Sequence, residues 1–299
     1  MQKIRNEHTI DRLLRVLVGT ALAIIGFFWF GGTSQIVFMV FATILILTGL
    51  TGFCALYKVL GVNTCSASGP APRWIIGLFF VLLGALLAGG TYASIFFSTK
   101  FFLEDYNHVN NFYKQTLFNT GQGKRAESED QYNELVKAYE MFTVKYSSYR
   151  PYVLRADTVF TTDLVRVGTT LAGLEGTIAT GDLHEAHLTL ETVRPIFQDM
   201  LKRNGFSMLA VSLVDFHDAM EEVITSADAK DATGVLSAYD IADVKLQAVE
   251  AEAKDVEVQA IRTNLEAVRA LAESSDVEAL PAKAAELKAS FVKVYLVRG

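Results

Sequence analysis

The stretch Trp74–Phe97, WIIGLFFVLLGALLAGGTYASIFF, contains no charged residue. A bilayer core of about 30 Å is crossed by about 20 apolar residues of helix, so this segment is long enough to span. Two other apolar runs precede it, residues 13–30 and 36–56, joined through Gly31-Gly32-Thr33-Ser34. Residues 1–97 therefore read as a transmembrane anchor with spans at 13–30, 36–56 and 74–97. Residues 98–299 are charged and amphipathic and read as a separate helical body.

Charge divides the chain at the same place. Residues 1–97 hold six basic residues (Lys3, Arg5, Arg12, Arg15, Lys58, Arg73) against two acids, Glu7 and Asp11. The chain totals are 27 basic and 33 acidic residues, so the body carries most of the acid. An acidic body argues against nucleic acid, whose binders need a basic face. The basic residues of the anchor lie in the N-terminal tail and in the 58–73 loop, which also holds Gly61, Gly69, Pro70 and Pro72. The 31–35 turn has none. The positive-inside rule then expects the tail and that loop in the cytoplasm. Three crossings put the body outside, in the periplasm of a Gram-negative cell. The first apolar run, after a positive start, is expected to be retained rather than cleaved, because no small-x-small site follows it.

The residues Asn6, Asp11-Arg12, Arg15 and Gly19, followed by Thr48-Gly49, Gly52-Phe53-Cys54, Tyr57, Gly61 and Thr64-Cys65, form a pattern. Over residues 1–65 it resembles the YgaP-like inner-membrane domain, a small bacterial two-helix anchor found alone or joined to a rhodanese. The family usually has Pro after the first cysteine, where Ala55 stands here. The resemblance implies a bacterial inner membrane and a cytoplasmic N-terminus. It implies no activity, since no rhodanese loop is present. Cys54 and Cys65 are expected to be unbridged on the reducing side, as small apolar residues packed in a turn. Small residues recur in the spans (Gly19 and Gly26 in the first; Gly77, Gly84, Gly89 and Gly90 in the third), which suits either packing among these helices or docking onto another membrane subunit.

The fold class expected for the whole is all-α. The aromatics Tyr92, Phe96, Phe97, Phe101, Phe102 and Tyr106 at the exit of the third span suggest an interfacial belt. Helices are expected at 98–120, 127–147, 154–179, 182–203, 207–228 and 232–255, with a seventh that ends near 274 and can be continuous with the sixth, and a final helix from Pro281. Pro195 should bend the fourth of these. Tyr146, Tyr149 and Tyr152 are expected at a core end. A shift of 94 residues superposes Leu171, Asp182, Phe197 and Gly205 on Leu265, Asp276, Phe291 and Gly299, which suggests two related four-helix units, 98–205 and 206–299.

Chemistry in the body rests on few residues. His184 and His187 are three apart at a helix start. His217 and Glu221 are four apart, beside Asp215 and Asp218. With Met200, Met208 and Met220 in the same region, His217, Glu221, His184 and His187 are candidate ligands for copper or iron. The alternative is a histidine at the edge of a core and an exposed helix start. No Gly-x-Ser-x-Gly, phosphate loop or body cysteine points to catalysis. The sequence thus predicts a non-catalytic accessory or scaffold subunit of a membrane complex, its partners being the bilayer and other subunits or further copies of itself. The alternative is a periplasmic protein that binds a metal or small ligand.

Overall fold

A computed structural model describes residues 5–67 and 71–298. Lys3, Gly69, Pro70 and Gly299, named above, lie outside the described residues. Every regular element among the described residues is helical. Three helices are long and apolar enough to cross a membrane: Thr9–Trp29, Gly32–Thr51 and Arg73–Gly121. The second is shifted from its expected bounds of 36–56. Its last turn closes at Gly52, whose φ of +75° is left-handed and favours a residue without Cβ. The third does not stop at Phe97. It runs to Gly121 through a π-helical turn at Leu86–Gly90, so it comprises α4 (Arg73–Ala85) and α5 (Thr91–Gly121).

The described chain divides into two compact units, residues 1–102 with 141–158, and 103–140 with 159–299. This division differs from the compositional one at 97/98, because residues 141–158 belong with the spans.

In the first unit α1 (Thr9–Trp29) packs along α2 (Gly32–Thr51) at glycines. A Cβ on Gly19 would stand 2.7 Å from Ile46 Cγ1, and one on Gly26 2.6 Å from Phe38 Cβ. Such close approach is what holds helices together where solvent drives no apolar association. The pattern shared with the YgaP-like domain is a polar clasp at one end of this pair. Asn6 and Glu7 donate their backbone N–H groups to Gly52 O (3.1 and 3.3 Å). Arg12 donates to Gly49 O at 2.8 Å and Leu50 O at 2.7 Å, satisfying carbonyls at the end of α2. Arg15 meets Asp11 at 2.9 Å and Glu7 at 3.2 Å, and lies over the Tyr57 ring. Thr64 accepts from His8 N at 2.7 Å and donates to Asp11 at 3.2 Å. Cys54 is buried beneath this clasp, directly before the short helix α3 (Ala55–Val59). Cys65 is exposed, contrary to the expectation that both are buried, because its short 3-10 turn (Thr64–Ala67) lies on the outside of the knot.

The end of α1 is held by aromatics. Trp29 Nε1 donates to Ser94 Oγ at 3.1 Å, Tyr149 OH donates to Phe28 O at 2.9 Å, and Tyr152 packs on Phe28. Phe102 is fully buried against Tyr146, with ring centroids 5.1 Å apart, and Tyr106 is buried in the second unit. These two are core residues and not part of an exposed belt, since α5 continues past the apolar stretch and acquires a packed face. Tyr92 remains exposed.

The second unit takes α6 (Arg125–Ser148) as far as residue 140, and its remaining helices are α7 (Phe160–Ala172), α8 (Glu175–Ala179), α9 (Leu183–Glu191), α10 (Val193–Arg203), α11 (Met208–Asp228), α12 (Ala232–Glu252), α13 (Val256–Glu273) and α14 (Leu280–Arg298). Two of the expected helices are each broken in two. Residues 154–179 part at Gly173, and 182–203 part at Thr192, three residues before Pro195, where the bend was expected. The proline ring denies the Glu191 carbonyl its partner, and the chain restarts with Pro195 in the first turn of α10. Helices α12 and α13 do not fuse either. Ala253 is extended, and Asp255 caps α13 by accepting from Glu257 N and Val258 N.

Helices α11–α14 enclose one core that includes Phe216, Val223, Leu246, Ile261, Leu287 and Phe291. Of the pairs related by the 94-residue shift, Leu171 and Leu265 are both buried, as are Phe197 and Phe291. In the earlier helices three tyrosines donate their hydroxyls to backbone carbonyls: Tyr113 to Leu190 O (2.9 Å), Tyr132 to Leu171 O (2.7 Å) and Tyr139 to Leu164 O (2.5 Å). Arg125 donates to Ile178 O and Gly181 O at the end of α8, where carbonyls lack helical partners.

Candidate functional site

Along α5, Leu103, Tyr106, Val109, Tyr113 and Leu117 recur at helical spacing and are buried. Asn107 lies beside this stripe and is only 4% exposed. Its Nδ2 donates to Val211 O, in the first turn of α11, at 3.1 Å. A carbonyl only accepts, so the amide must present its NH2 there, and this fixes the flip. Asn107 Oδ1 is then left buried without a hydrogen-bond partner in the protein. An unmet buried acceptor costs about 1–3 kcal/mol, so this atom needs an explanation.

The explanation lies beside it. A cavity of about 240 Å³ opens between α5, α10, α11 and α12. Asn107, Lys114, Arg194, Phe197, Val211 and Asp215 are among its lining residues. The break before α10 builds one wall. It places Arg194 and Phe197 in the first turns of a fresh helix, and Phe197 packs edge-on against Tyr106 and Tyr113, at 5.4 and 6.2 Å. Arg194 and Lys114 are exposed. Arg194 touches Glu191 at 3.1 Å, an exposed contact of the kind worth little. Asp215 already has a cation, Lys245 Nζ at 2.6 Å. The cavity therefore combines two exposed cations and an apolar wall, and one of its lining residues, Asn107, holds a buried acceptor without a partner in the protein. Such a set of convergent polar groups over an apolar lining recognises small molecules.

The four proposed metal ligands are placed elsewhere. His217 Nε2 is 3.7 Å from Glu221 Oε1, and Nδ1 is 3.5 Å from Asp218 Oδ1. Its ring lies nearly parallel to those of Phe291 and Tyr295, at 5.5 and 5.6 Å, these two being 4.9 Å from each other, and Lys288 Nζ reaches Glu221 at 3.0 Å. Asp218 raises the His217 pKa above its ordinary value, against the effect of burial. His187 Nδ1 faces Leu117 O at 2.9 Å, and its Nε2 is 3.9 Å from Glu191. His184 is exposed at the start of α9, its N–H capped by Asp182. Among the described residues no group of three or more His, Cys, Asp or Glu is placed to hold a metal ion. His217 and Glu221 are brought together, and His184 and His187 do not join them.

The cavity residues Asn107, Lys114 and Arg194 are absent from the sequence-based candidates. The available signals were an amide next to an apolar helical stripe and an arginine directly before the helix-breaking Pro195.

The third span presents another surface. Among the described residues nothing lies within 4 Å of where a Cβ would sit on Gly77, Gly84 or Gly89, whereas Gly90 meets Ile24 at 3.4 Å.

No curated protein matches the chain, and no solved structure matches it. Residues 1–68 match a family model described as the transmembrane domain of inner membrane protein YgaP-like. The clasped helix pair is thus similar to a known anchor. That match and the three apolar helices make the chain a membrane protein and support an inner-membrane location.

Proposed function

We propose that this chain is a non-catalytic accessory subunit of a larger inner-membrane assembly, with its N-terminus in the cytoplasm and its helical body in the periplasm. The open glycines of the third span carry this reading. Gly19 and Gly26 on α1 and Gly49 on α2 are consumed by contacts within the chain, while among the described residues nothing lies within 4 Å of a Cβ on Gly77, Gly84 or Gly89. In lipid a glycine costs a helix stability and returns it through close approach of another helix. Basic residues on both loops of one side support the orientation.

Purification from native membranes in mild detergent tests it. A different membrane protein should co-purify with the wild type. The Gly84→Leu variant should lose that protein while its thermal melt is unchanged. A lone monomer overturns the reading. So does a homo-oligomer that Gly84→Leu dissociates, because these glycines would then serve self-association.

A further inference from the structure

We infer that the cavity between α5, α10, α11 and α12 binds a small carboxylate that also carries a hydrogen-bond donor, an α-amino or α-hydroxy acid. At about 240 Å³ it lies below the roughly 300–1,000 Å³ of pockets for drug-sized molecules, so its occupant is of metabolite size. Three features choose the chemistry. Lys114 and Arg194 are cations at the exposed rim, and Lys114 has no carboxylate partner among the described residues. A carboxylate gives Lys114 a partner and competes with Glu191 for the exposed Arg194, whose guanidinium fork can take two oxygens.

Asn107 Oδ1 is an acceptor held in place by its own amide's bond to Val211 O. It needs an O–H or N–H from the ligand, and a simple carboxylate has none to give. Phe197 and Val211 supply apolar surface for a short hydrocarbon part. A cation ligand is disfavoured, because the one carboxylate in the lining, Asp215, is already paired with Lys245 at 2.6 Å.

Calorimetric titration of the full chain in detergent tests this, using matched triplets up to about 10 mM, well above a millimolar dissociation constant. Each triplet is a common amino acid, its 2-hydroxy analogue and the analogue with neither group. Saturable binding is expected for at least one amino or hydroxy acid, with the matching unsubstituted acid roughly tenfold weaker or worse. The stronger of the first two identifies the donor as ammonium or hydroxyl. Lys114→Met and Arg194→Met, both at exposed positions, should each weaken binding roughly tenfold without changing the melt. No saturable binding across the panel overturns the inference. So does equal affinity for the unsubstituted acid, or unchanged affinity in both variants.

Discussion

Asn6 grips the backbone of Cys54 at both ends, its Nδ2 donating to Cys54 O at 2.8 Å and its Oδ1 accepting from Cys54 N at 2.9 Å. The two partners are 48 positions apart in the chain, with both helices of the clasped pair between them. The two bonds are buried, so cutting them leaves a donor and an acceptor unmet. Asn6→Ala should destabilise the anchor by about 2–4 kcal/mol. A thermal melt in detergent, followed by circular dichroism against the wild type, measures the loss.

Gly49 lies where α2 crosses α1. A Cβ there would be 2.7 Å from Arg12 O, a backbone atom with no freedom to retreat. Gly49→Leu should therefore cost about 1–3 kcal/mol or more through overpacking, and the same melt detects it. The contrast with Gly84→Leu, expected to leave the melt alone, separates packing glycines from docking ones.

The clasp was legible as a motif and not as a structure. Asn6, Arg12, Arg15 and Thr64 stand out as part of the pattern that resembles the YgaP-like domain, but nothing in the order of residues says that Arg12 closes the carbonyl end of α2. In the body, apolar periodicity marked most of the helices, because α11 to α14 each bury a regular stripe. It missed the break at Thr192, since Pro195 was read as a bend inside one helix when it lies in the first turn of a new one. The cavity was illegible for a related reason. It is assembled from α5, α10, α11 and α12, and Asn107 gains meaning only when Val211 O takes one end of its amide. The i, i+4 spacing brings His217 within 3.7 Å of Glu221, while the neighbouring rings of Phe291 and Tyr295 come from α14, which no local pattern around His217 announces.

Arg262 joins two helices of the body. It donates to Glu250 through Nε at 3.0 Å and Nη2 at 2.8 Å, and to Asp243 through Nη1. Those carboxylates hold its guanidinium pKa above the ordinary arginine value. Arg262→Lys keeps the charge and loses the fork, so it should destabilise by about 1–3 kcal/mol, visible as a lower unfolding midpoint.

His217 makes stability depend on pH. Asp218 beside it, with Glu221 and Glu104 also near, raises its pKa above 6.5 in the fold, while Lys288 approaches Glu221 from α14. A raised folded value means the charged ring is stabilised by folding. That contribution is complete below pH 6.5 and is lost as pH rises through the folded value. Subtracting the melts of His217→Gln from those of the wild type across pH 5–9 should show the advantage of the wild type shrinking as pH rises. An advantage that grows with pH contradicts the assignment.

The placement of the body across the membrane from the N-terminus is tested most directly by paired reporters fused after Arg298 in a Gram-negative host. Alkaline phosphatase there should be active and green fluorescent protein dark, as for a periplasmic terminus. A fluorescent fusion with inactive phosphatase would contradict three crossings and the proposed orientation together.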